Sequence, residues 1–375
     1  MERKLANIWN LGVKELRSLW RDPMMLVLIF YAFSLGIYIA ATGIPETLNK
    51  APIAIVDEDQ SPMSTRVSSA FYPPHFTNPF LVQLSEIDPG MDDGDYTFAL
   101  VIPPEFQRDV LAGRSPAIQL NVDATRMSQA FTGSGYIQQI VTSEVAAFLS
   151  GTRAPPTPPV DLALRARFNP TLAQSWFGSV MEVINSVTML SIVLTGAALI
   201  REREHGTIEH LLVMPVTPFE IMAAKVWSMG AVVLGACAFA LVFIVEGVLK
   251  VPVEGSLLLF LAGASLHLFA TTSLGIFMGT IARSMPQFGL LLMLVMLPLQ
   301  LLSGGVTPRE SMPEFVQVLM LSASTTHFVR MAQGVLYRGA DFGVVWPQFV
   351  GLAIIGTVFF LIALSRFRAT IGQMA

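Results

Sequence analysis

Three ionisable side chains, Glu182, His267 and Glu246, lie within otherwise apolar stretches of this 375-residue chain. A charge in the middle of a hydrocarbon layer costs at least ~2.5 kcal/mol, so such residues are candidates for a functional role. Glu182 shares a helical face with Asn185, and His267 shares one with Thr271. Glu182 and Asn185 are predicted either to pack or to line a polar path. His267 is predicted either to form an interhelical hydrogen bond or to line the same path, and Glu246 is expected at the water interface.

The densest charge cluster spans residues 201–204, and a short segment with apolar residues on one helical face follows it between 205 and 214. A segment of this kind is either a solvated loop or a docking helix that fits the groove of a partner. The candidate docking residues are Glu202, Arg203, Glu204, Gly206, Thr207, Glu209, Leu211 and Leu212.

The composition indicates a polytopic membrane protein. Hydrophobic residues make up 53% of the chain and charged residues only 13%, against about 25% charged in a typical soluble domain. The net charge of −4 gives no electrostatic basis for binding nucleic acid. The single cysteine, Cys237, excludes a disulfide within the chain and lies in an apolar stretch, where packing is its expected role.

Six apolar stretches have the length of about 20 residues that a membrane-spanning helix requires. They are 24–43, 176–200, 226–245, 257–282, 287–306 and 344–365. A further stretch, 315–329, is too short to span and is expected to be re-entrant or interfacial. Positive residues are concentrated before the first span and in the loops on the same side of the membrane. The positive-inside rule therefore predicts that both termini are cytoplasmic.

Residues 44–175 separate the first two spans and are long enough for a domain on the outer side. The pattern of apolar residues indicates a small α/β fold there. The predicted elements are strands at 53–56, 98–102 and 118–122, a long helix at 128–149 and a return strand at 160–168.

Residues 1–22 carry apolar side chains at helical spacing among basic residues, which predicts an amphipathic helix on the inner membrane surface. This helix is either an anchor alone or also a contact for a partner subunit. The expected order of the chain is therefore an interface helix at 1–22, a first span at 23–43, an outer α/β domain at 44–175, and helices at 176–375 with a cytoplasmic loop at 201–224 and an outer re-entrant segment at 307–340.

The run from Glu202 to Pro215 resembles the coupling-helix signature of ABC-2 type transporter permeases. Other strings resemble further parts of that family in the same order, at 51–61, 102–106, 122–125 and 325–328. The outer re-entrant segment is similar at Gly304, Gly305, Pro308, Met312 and Pro313. Within the family the chain resembles bacterial inner-membrane permeases of the drug-exporter type.

The resemblance implies a permease subunit of an ATP-binding cassette exporter, which moves a drug-like or lipophilic substrate out of the cytoplasm by alternating access. It implies three partners: a separate ABC ATPase, a second permease chain that is identical or homologous, and a periplasmic adaptor protein. None of the five lysines follows a glycine, so the chain has no Walker A loop. ATP and Mg are therefore expected on the partner ATPase, and no catalytic, cofactor or metal site is expected on this chain.

Two alternatives stay open from the residues alone. An ion-gradient-driven secondary transporter would need several intramembrane carboxylates or broken helices, and this chain has few candidates. A membrane enzyme would need a catalytic constellation in residues 44–175, which contain no G-x-S-x-G motif and one histidine, His75.

Overall fold

A computed structural model describes residues 2–43, 48–125, 127–151, 167–169, 173–204 and 215–372. The chain divides into two compact units. Residues 45–165 form one unit, and residues 1–44 together with 166–375 form the other. Residues 160–166 of the predicted return strand lie outside the described residues, and residues 167–168 form a bend.

Three helices precede the 45–165 unit: α1 (Glu2–Trp20), α2 (Pro23–Phe33) and α3 (Leu35–Thr42). The Asp22 carboxylate caps α2 by accepting a hydrogen bond from the Met25 N–H at 3.2 Å. Ser34 has a non-helical conformation (φ −131°, ψ −80°) and separates α2 from α3. The first apolar stretch therefore forms two consecutive helices, where the sequence predicts one.

The 45–165 unit contains a four-stranded sheet with helices. Its elements are β1 (Ile53–Asp57), α4 (Pro62–Ser68), β2 (Phe80–Leu81), α5 (Ile87–Asp92), β3 (Phe98–Ile102), α6 (Phe106–Leu111), β4 (Gln119–Val122) and α7 (Met127–Ser150). The strand order is β2-β1-β3-β4, with β1 parallel to both neighbours and β4 antiparallel to β3. All residues of β3 are buried, as expected for a central strand covered on both faces. The two-residue strand β2 has no counterpart among the predicted elements.

Seven helices follow in the described part of the chain: α8 (Gln174–Glu204), α9 (Pro218–Phe239) with a π-helical continuation (Ala240–Val248), α10 (Leu257–Ile281), α11 (Met285–Leu301), α12 (Glu314–Met320), α13 (Ser324–Arg338) and α14 (Phe342–Gly372). Five helical stretches in the described residues are long and apolar enough to cross a membrane. They are Pro23–Thr42, Ser175–Glu204, Pro218–Val248, Leu257–Ile281 and Phe342–Ala369.

The predicted fifth span is shorter than expected. It was predicted to reach Val306, but α11 ends at Leu301 after 17 residues. Pro298 lies inside its last turn and has no N–H to donate. Gly304 has a φ of +92°, which is incompatible with a right-handed helix. A helix of this length is about 26 Å long, slightly less than the roughly 30 Å hydrocarbon core. The six-span count therefore stays a prediction.

The third predicted span begins earlier than the sequence pattern indicated. It was placed at Val226, whereas α9 begins at Pro218. Thr217 and Glu220 form a reciprocal capping box, and proline occupies the first helical position, so the helix starts at this point. Lys225, one residue before the predicted start of the span, is consequently inside the helix.

Helix α8 is the centre of the helical unit and packs closely against α10. Most of its apolar length is buried inside the helical unit. The Ser191 hydroxyl donates to Thr271 Oγ1 at 2.6 Å, and a Cβ atom on Gly275 would lie 2.2 Å from Thr195 Oγ1. Small and hydroxyl-bearing residues let two membrane helices approach closely and hydrogen-bond to each other.

Candidate functional site

The last turn of α8 carries three of the predicted docking residues, Glu202, Arg203 and Glu204, and is bonded to several neighbouring helices. Arg201 forms an ion pair with Asp22, which caps α2. The Arg203 guanidinium donates to the carbonyl oxygens of Gly279 at 2.9 Å and Ala282 at 2.7 Å, where α10 ends. A cation at a helix C-terminus satisfies its free carbonyls and interacts favourably with its dipole.

Glu204 links the same turn to α11. Its Oε1 accepts a hydrogen bond from the Met285 N–H at 3.2 Å, at the first residue of α11. A carboxylate at a helix N-terminus is stabilised by the free N–H groups and by the dipole. The end of α8 thus holds the end of one helix and the start of the next.

Glu202 belongs to a partly buried network of four charged side chains. The Lys225 ammonium lies 2.8 Å from Glu202 Oε2 and 2.9 Å from Glu15 Oε1, so one amine serves two carboxylates. The Lys225 side chain is 2% exposed, and those of Glu15 and Glu202 are 8% and 12% exposed. Lys14, at 3.0 Å from Glu202 Oε1, completes the network from the solvent side. We call Lys14, Glu15, Glu202 and Lys225 the charged network.

Helix α1 also packs directly along α9. The indole rings of Trp9 and Trp227 stack with their centroids 5.0 Å apart, and Trp227 Nε1 donates to the Ile8 carbonyl at 3.2 Å. Gly12 faces the Trp227 ring so closely that a Cβ atom would lie 2.2 Å from it. Asn7 donates to Glu220 Oε1 at 3.3 Å, in the first turn of α9. Gly12 is therefore required for the close approach of α1 to α9.

Helix α1 buries one face against neighbouring helices and leaves apolar side chains exposed on another. Gly12, Glu15 and Leu19 form its buried face, whereas Leu5 and Trp9, two of the apolar side chains at helical spacing in residues 1–22, are each 61% exposed. The remaining predicted docking residues, Gly206, Thr207, Glu209, Leu211 and Leu212, lie outside the described residues. The described part of the segment consists of its two ends, residues 201–204 and 215–224.

Glu182 and Asn185 lie on a partly exposed face of α8. This face includes Gly178, Glu182, Asn185 and Met189, which are all half-buried on a helix that is otherwise mostly buried. The Ser186 hydroxyl donates to Glu182 Oε1 at 3.4 Å. The two residues share this face and are accessible from one side of the helix.

His267 lies away from that face, in the core between α8, α10 and α13. It is 0% exposed, its Nε2 lies 2.9 Å from Thr188 Oγ1, and its ring stacks on Phe328 at 4.1 Å. Of the two roles that the sequence left open, this geometry corresponds to the interhelical hydrogen bond.

The segment predicted to be re-entrant contains a one-turn helix (Arg309–Ser311) followed by α12 and α13. The apolar stretch 315–329 is thus divided between two helices. Pro313 caps α12, and Met312 is buried. A Cβ atom on Gly305 would lie 2.0 Å from the Met181 methyl group, so this glycine fixes the loop against α8. Gly304 and Pro308 line an adjacent cavity.

Glu15, Lys225 and Trp227 were not among the predicted site residues. Glu15 is an acidic residue within the mostly basic helix α1. It lies three residues after Gly12 and four before Leu19, on the buried face of the helix. Lys225 is a cation directly before an apolar stretch. Glu15 and Lys225 each indicate an ion pair, but the sequence alone does not show that these two residues, 210 positions apart, are partners.

These features define the class of protein. The chain is a mostly helical, polytopic membrane protein. Its described residues contain five candidate spans, and the charged network lies where two of them meet α1. The sequence model described as "ABC-2 family transporter protein" matches residues 23–365. The chain belongs to this family.

Two relatives illustrate the similarity. The chain is 63% identical over 373 residues, covering 100% of both chains, to the "Inner membrane transport permease YhhJ" of Escherichia coli (strain K12). It is 27% identical over 365 residues, covering 96% of this chain and 98% of the relative, to the "Probable multidrug ABC transporter permease YbhR" of the same organism. Both names describe a permease, in agreement with the class that the fold defines.

Proposed function

We propose that this chain is the transmembrane permease subunit of an ATP-driven exporter in a bacterial inner membrane. A separate ABC ATPase, which binds ATP and Mg, docks on residues 201–224 in this proposal. The proposed contacts with the ATPase include Gly206, Thr207, Glu209, Leu211 and Leu212. A second permease chain, identical or homologous, completes the transport path. Both termini face the cytoplasm, and residues 44–175 lie in the periplasm, where an adaptor protein binds them or they gate the exit.

The observation that carries the proposal is the attachment of the docking segment. Residues 201–204 are bonded to Asp22 before α2, to the charged network on α1 and α9, to the end of α10 and to the start of α11. Since these contacts are ion pairs and charge-assisted hydrogen bonds, a displacement of the segment is transmitted to the helices as a group. Alternating access requires this kind of rigid-body coupling.

The half-buried face of α8 at Glu182 and Asn185 is the proposed wall of the path. A path between two permease chains needs polar groups that are accessible at the chain's surface, and this face meets that requirement. His267 supports packing in this proposal, because its ring is enclosed. The word "multidrug" in the name of the 27% identical relative supports a drug-like or lipophilic substrate.

Copurification and ATPase assays test the proposal. The tagged chain should retain an ATPase partner, have no ATPase activity alone and stimulate the partner when substrate is added. Glu204→Lys should abolish the stimulation, because it reverses a charge at the docking segment and removes the acceptor for the Met285 N–H. Glu2→Lys, the same charge change at an exposed site on α1, is the matched control and should behave as wild type.

The secondary-transporter alternative predicts a different result. Transport in proteoliposomes would then follow an imposed proton or sodium gradient without ATP and would be abolished by an ionophore. ATP-dependent transport that persists with an ionophore would exclude that alternative. ATP hydrolysis by the purified chain alone would contradict the proposal that a separate subunit hydrolyses ATP.

A further inference from the structure

A cavity of about 590 Å³ opens at the end of the helical unit that is opposite α1. Its walls are the loop that follows α11, one face of α13 and the first turns of α14. It reaches Phe177, in the first turn of α8, whereas the charged network is on the last turn of that helix. The 25 residues between Phe177 and Glu202 correspond to a separation of about 37 Å along the helix.

The cavity is lined by three arginines and one acidic residue. Arg330 and Arg338 come from α13, and Arg309 and Glu310 come from the loop that follows α11. Gln333 lies between the two α13 arginines on the same face and adds an amide donor. The lining therefore carries a net charge of about +2 and is rich in hydrogen-bond donors.

The positive charge of this cavity is not neutralised within the described part of the chain. None of the three arginines forms an ion pair there. Arg309 donates to the Gln317 carbonyl at 3.2 Å, but its Nε is buried without a hydrogen-bond partner. The Arg330 side chain is exposed, and its pKa is lowered by partial desolvation and by repulsion from the Arg309 guanidinium, while the Glu310 carboxylate opposes this shift. A buried donor without a partner and two cations that repel each other are both unfavourable, and an anion would relieve both.

The rim of the cavity is apolar and exposed. Val306 and Val344 line it and are 56% and 67% exposed, and Phe342, at the start of α14, is 56% exposed. In a membrane protein such side chains face acyl chains. A ligand that fits has an anionic head for the arginines and hydrocarbon chains for the rim.

We propose that the cavity is a binding site for the headgroup of an anionic phospholipid, in the leaflet opposite α1. Arginine forms bidentate, charge-assisted hydrogen bonds with phosphate, and Arg309 and Arg330 approach the cavity from different walls. Gln333 and Gln348 offer amides to a hydroxylated headgroup such as glycerol. On the orientation proposed above this is the outer leaflet, but the site itself does not depend on the ATPase partner.

Binding to phosphatidylglycerol and to phosphatidylethanolamine tests the proposal. The purified full chain in detergent is titrated with each lipid, and bound lipid is counted by native mass spectrometry. Phosphatidylglycerol should bind and raise the unfolding temperature, because a ligand that binds the folded state stabilises it. Arg309→Gln and Arg330→Gln should each weaken this binding by about tenfold, and the double variant should abolish the preference.

Control measurements distinguish a lipid site from a folding defect and from a general anion site. Arg368→Gln, at an exposed position near the other end of α14, should bind phosphatidylglycerol as wild type does. Unfolding of each variant in phosphatidylethanolamine alone reports whether it folds. Equal affinity of the wild type for both lipids would overturn the proposal, and so would full binding by a folded double variant. Stabilisation by inorganic phosphate equal to that by phosphatidylglycerol would show an anion site without lipid specificity and would also overturn it.

Discussion

Replacement of Lys225 by methionine should be among the most destabilising substitutions in the helical unit. Methionine keeps the length of the side chain but removes the ammonium that lies 2.8 Å from Glu202 and 2.9 Å from Glu15. Two carboxylates are then left close together in a site where the lysine was 2% exposed. Removing one partner of a buried ion pair typically destabilises a protein by about 3–5 kcal/mol.

Lys14→Met is the matched control. It removes another ammonium that contacts Glu202, at 3.0 Å, but from a side chain that is 49% exposed. Exposed ion pairs contribute about 0.2–1 kcal/mol, so the loss should be several-fold smaller. A second comparison is the double variant Lys225→Met/Glu15→Gln. It should be more stable than Lys225→Met alone, because the one carboxylate that keeps its charge, Glu202, still has Lys14.

The measurement is the free energy of unfolding in detergent, followed by intrinsic fluorescence. Trp9 and Trp227 stack beside the charged network and report on the separation of α1 from α9. If Lys225→Met and Lys14→Met differed by less than about 0.5 kcal/mol, burial of the network would not determine its contribution. If the double variant were no more stable than Lys225→Met, repulsion between the carboxylates would not be the cause of the loss.

Two further predictions concern topology and packing. A membrane-impermeant maleimide applied to intact spheroplasts should label Ser85→Cys and should not label Ser18→Cys, both of which are at exposed positions; native Cys237 is fully buried and serves as the unlabelled background. Equal labelling of the two variants would refute the proposed orientation. Gly275→Ala should destabilise the chain by about 1–3 kcal/mol, because its Cβ would lie 2.2 Å from a hydroxyl and 2.6 Å from a backbone carbonyl oxygen of α8. Gly235→Ala, which has open space around it, should be neutral or stabilising in the same unfolding assay, since alanine favours helix more than glycine does.

Features that depend on neighbouring residues in the sequence were predictable. The central strand at 98–102 has the predicted bounds, and the helix predicted at 128–149 is α7, Met127–Ser150. The start of α9 was also encoded locally, since Thr217-Pro218 followed by Glu220 is a capping box with proline at the first helical position. The apolar pattern obscured it, because Glu220 and Lys225 interrupt the hydrophobic run. Hydropathy locates the apolar layer, whereas capping residues locate the ends of helices.

Features that depend on tertiary contacts were not predictable. The break at Ser34 is followed by a glycine, Gly36, but an isolated glycine in an apolar run is tolerated in a helix and does not by itself locate a break. The sequence grouped Glu202, Arg203 and Glu204 correctly as one charged turn, but their partners come from four other helices. Likewise, nothing local distinguishes the enclosed His267 from a histidine that lines a path, because burial is decided by helices from distant parts of the chain.

The contacts of α1 bear on how the docking segment is held. At the start of the segment, Glu202 binds Lys14 of α1 directly and Glu15 through Lys225. Near its end, Glu220 accepts a hydrogen bond from Asn7, also on α1. Both ends of the segment are therefore fastened to the same helix. In the proposed mechanism, a movement of the segment either carries α1 with it or breaks a buried ion network and separates two stacked indoles. Breaking the network is costly because it leaves buried charges without partners. We therefore expect α1 to move with the segment as one body. If α1 were only a membrane anchor, it would need neither Glu15 nor Gly12 on the face that packs against α9.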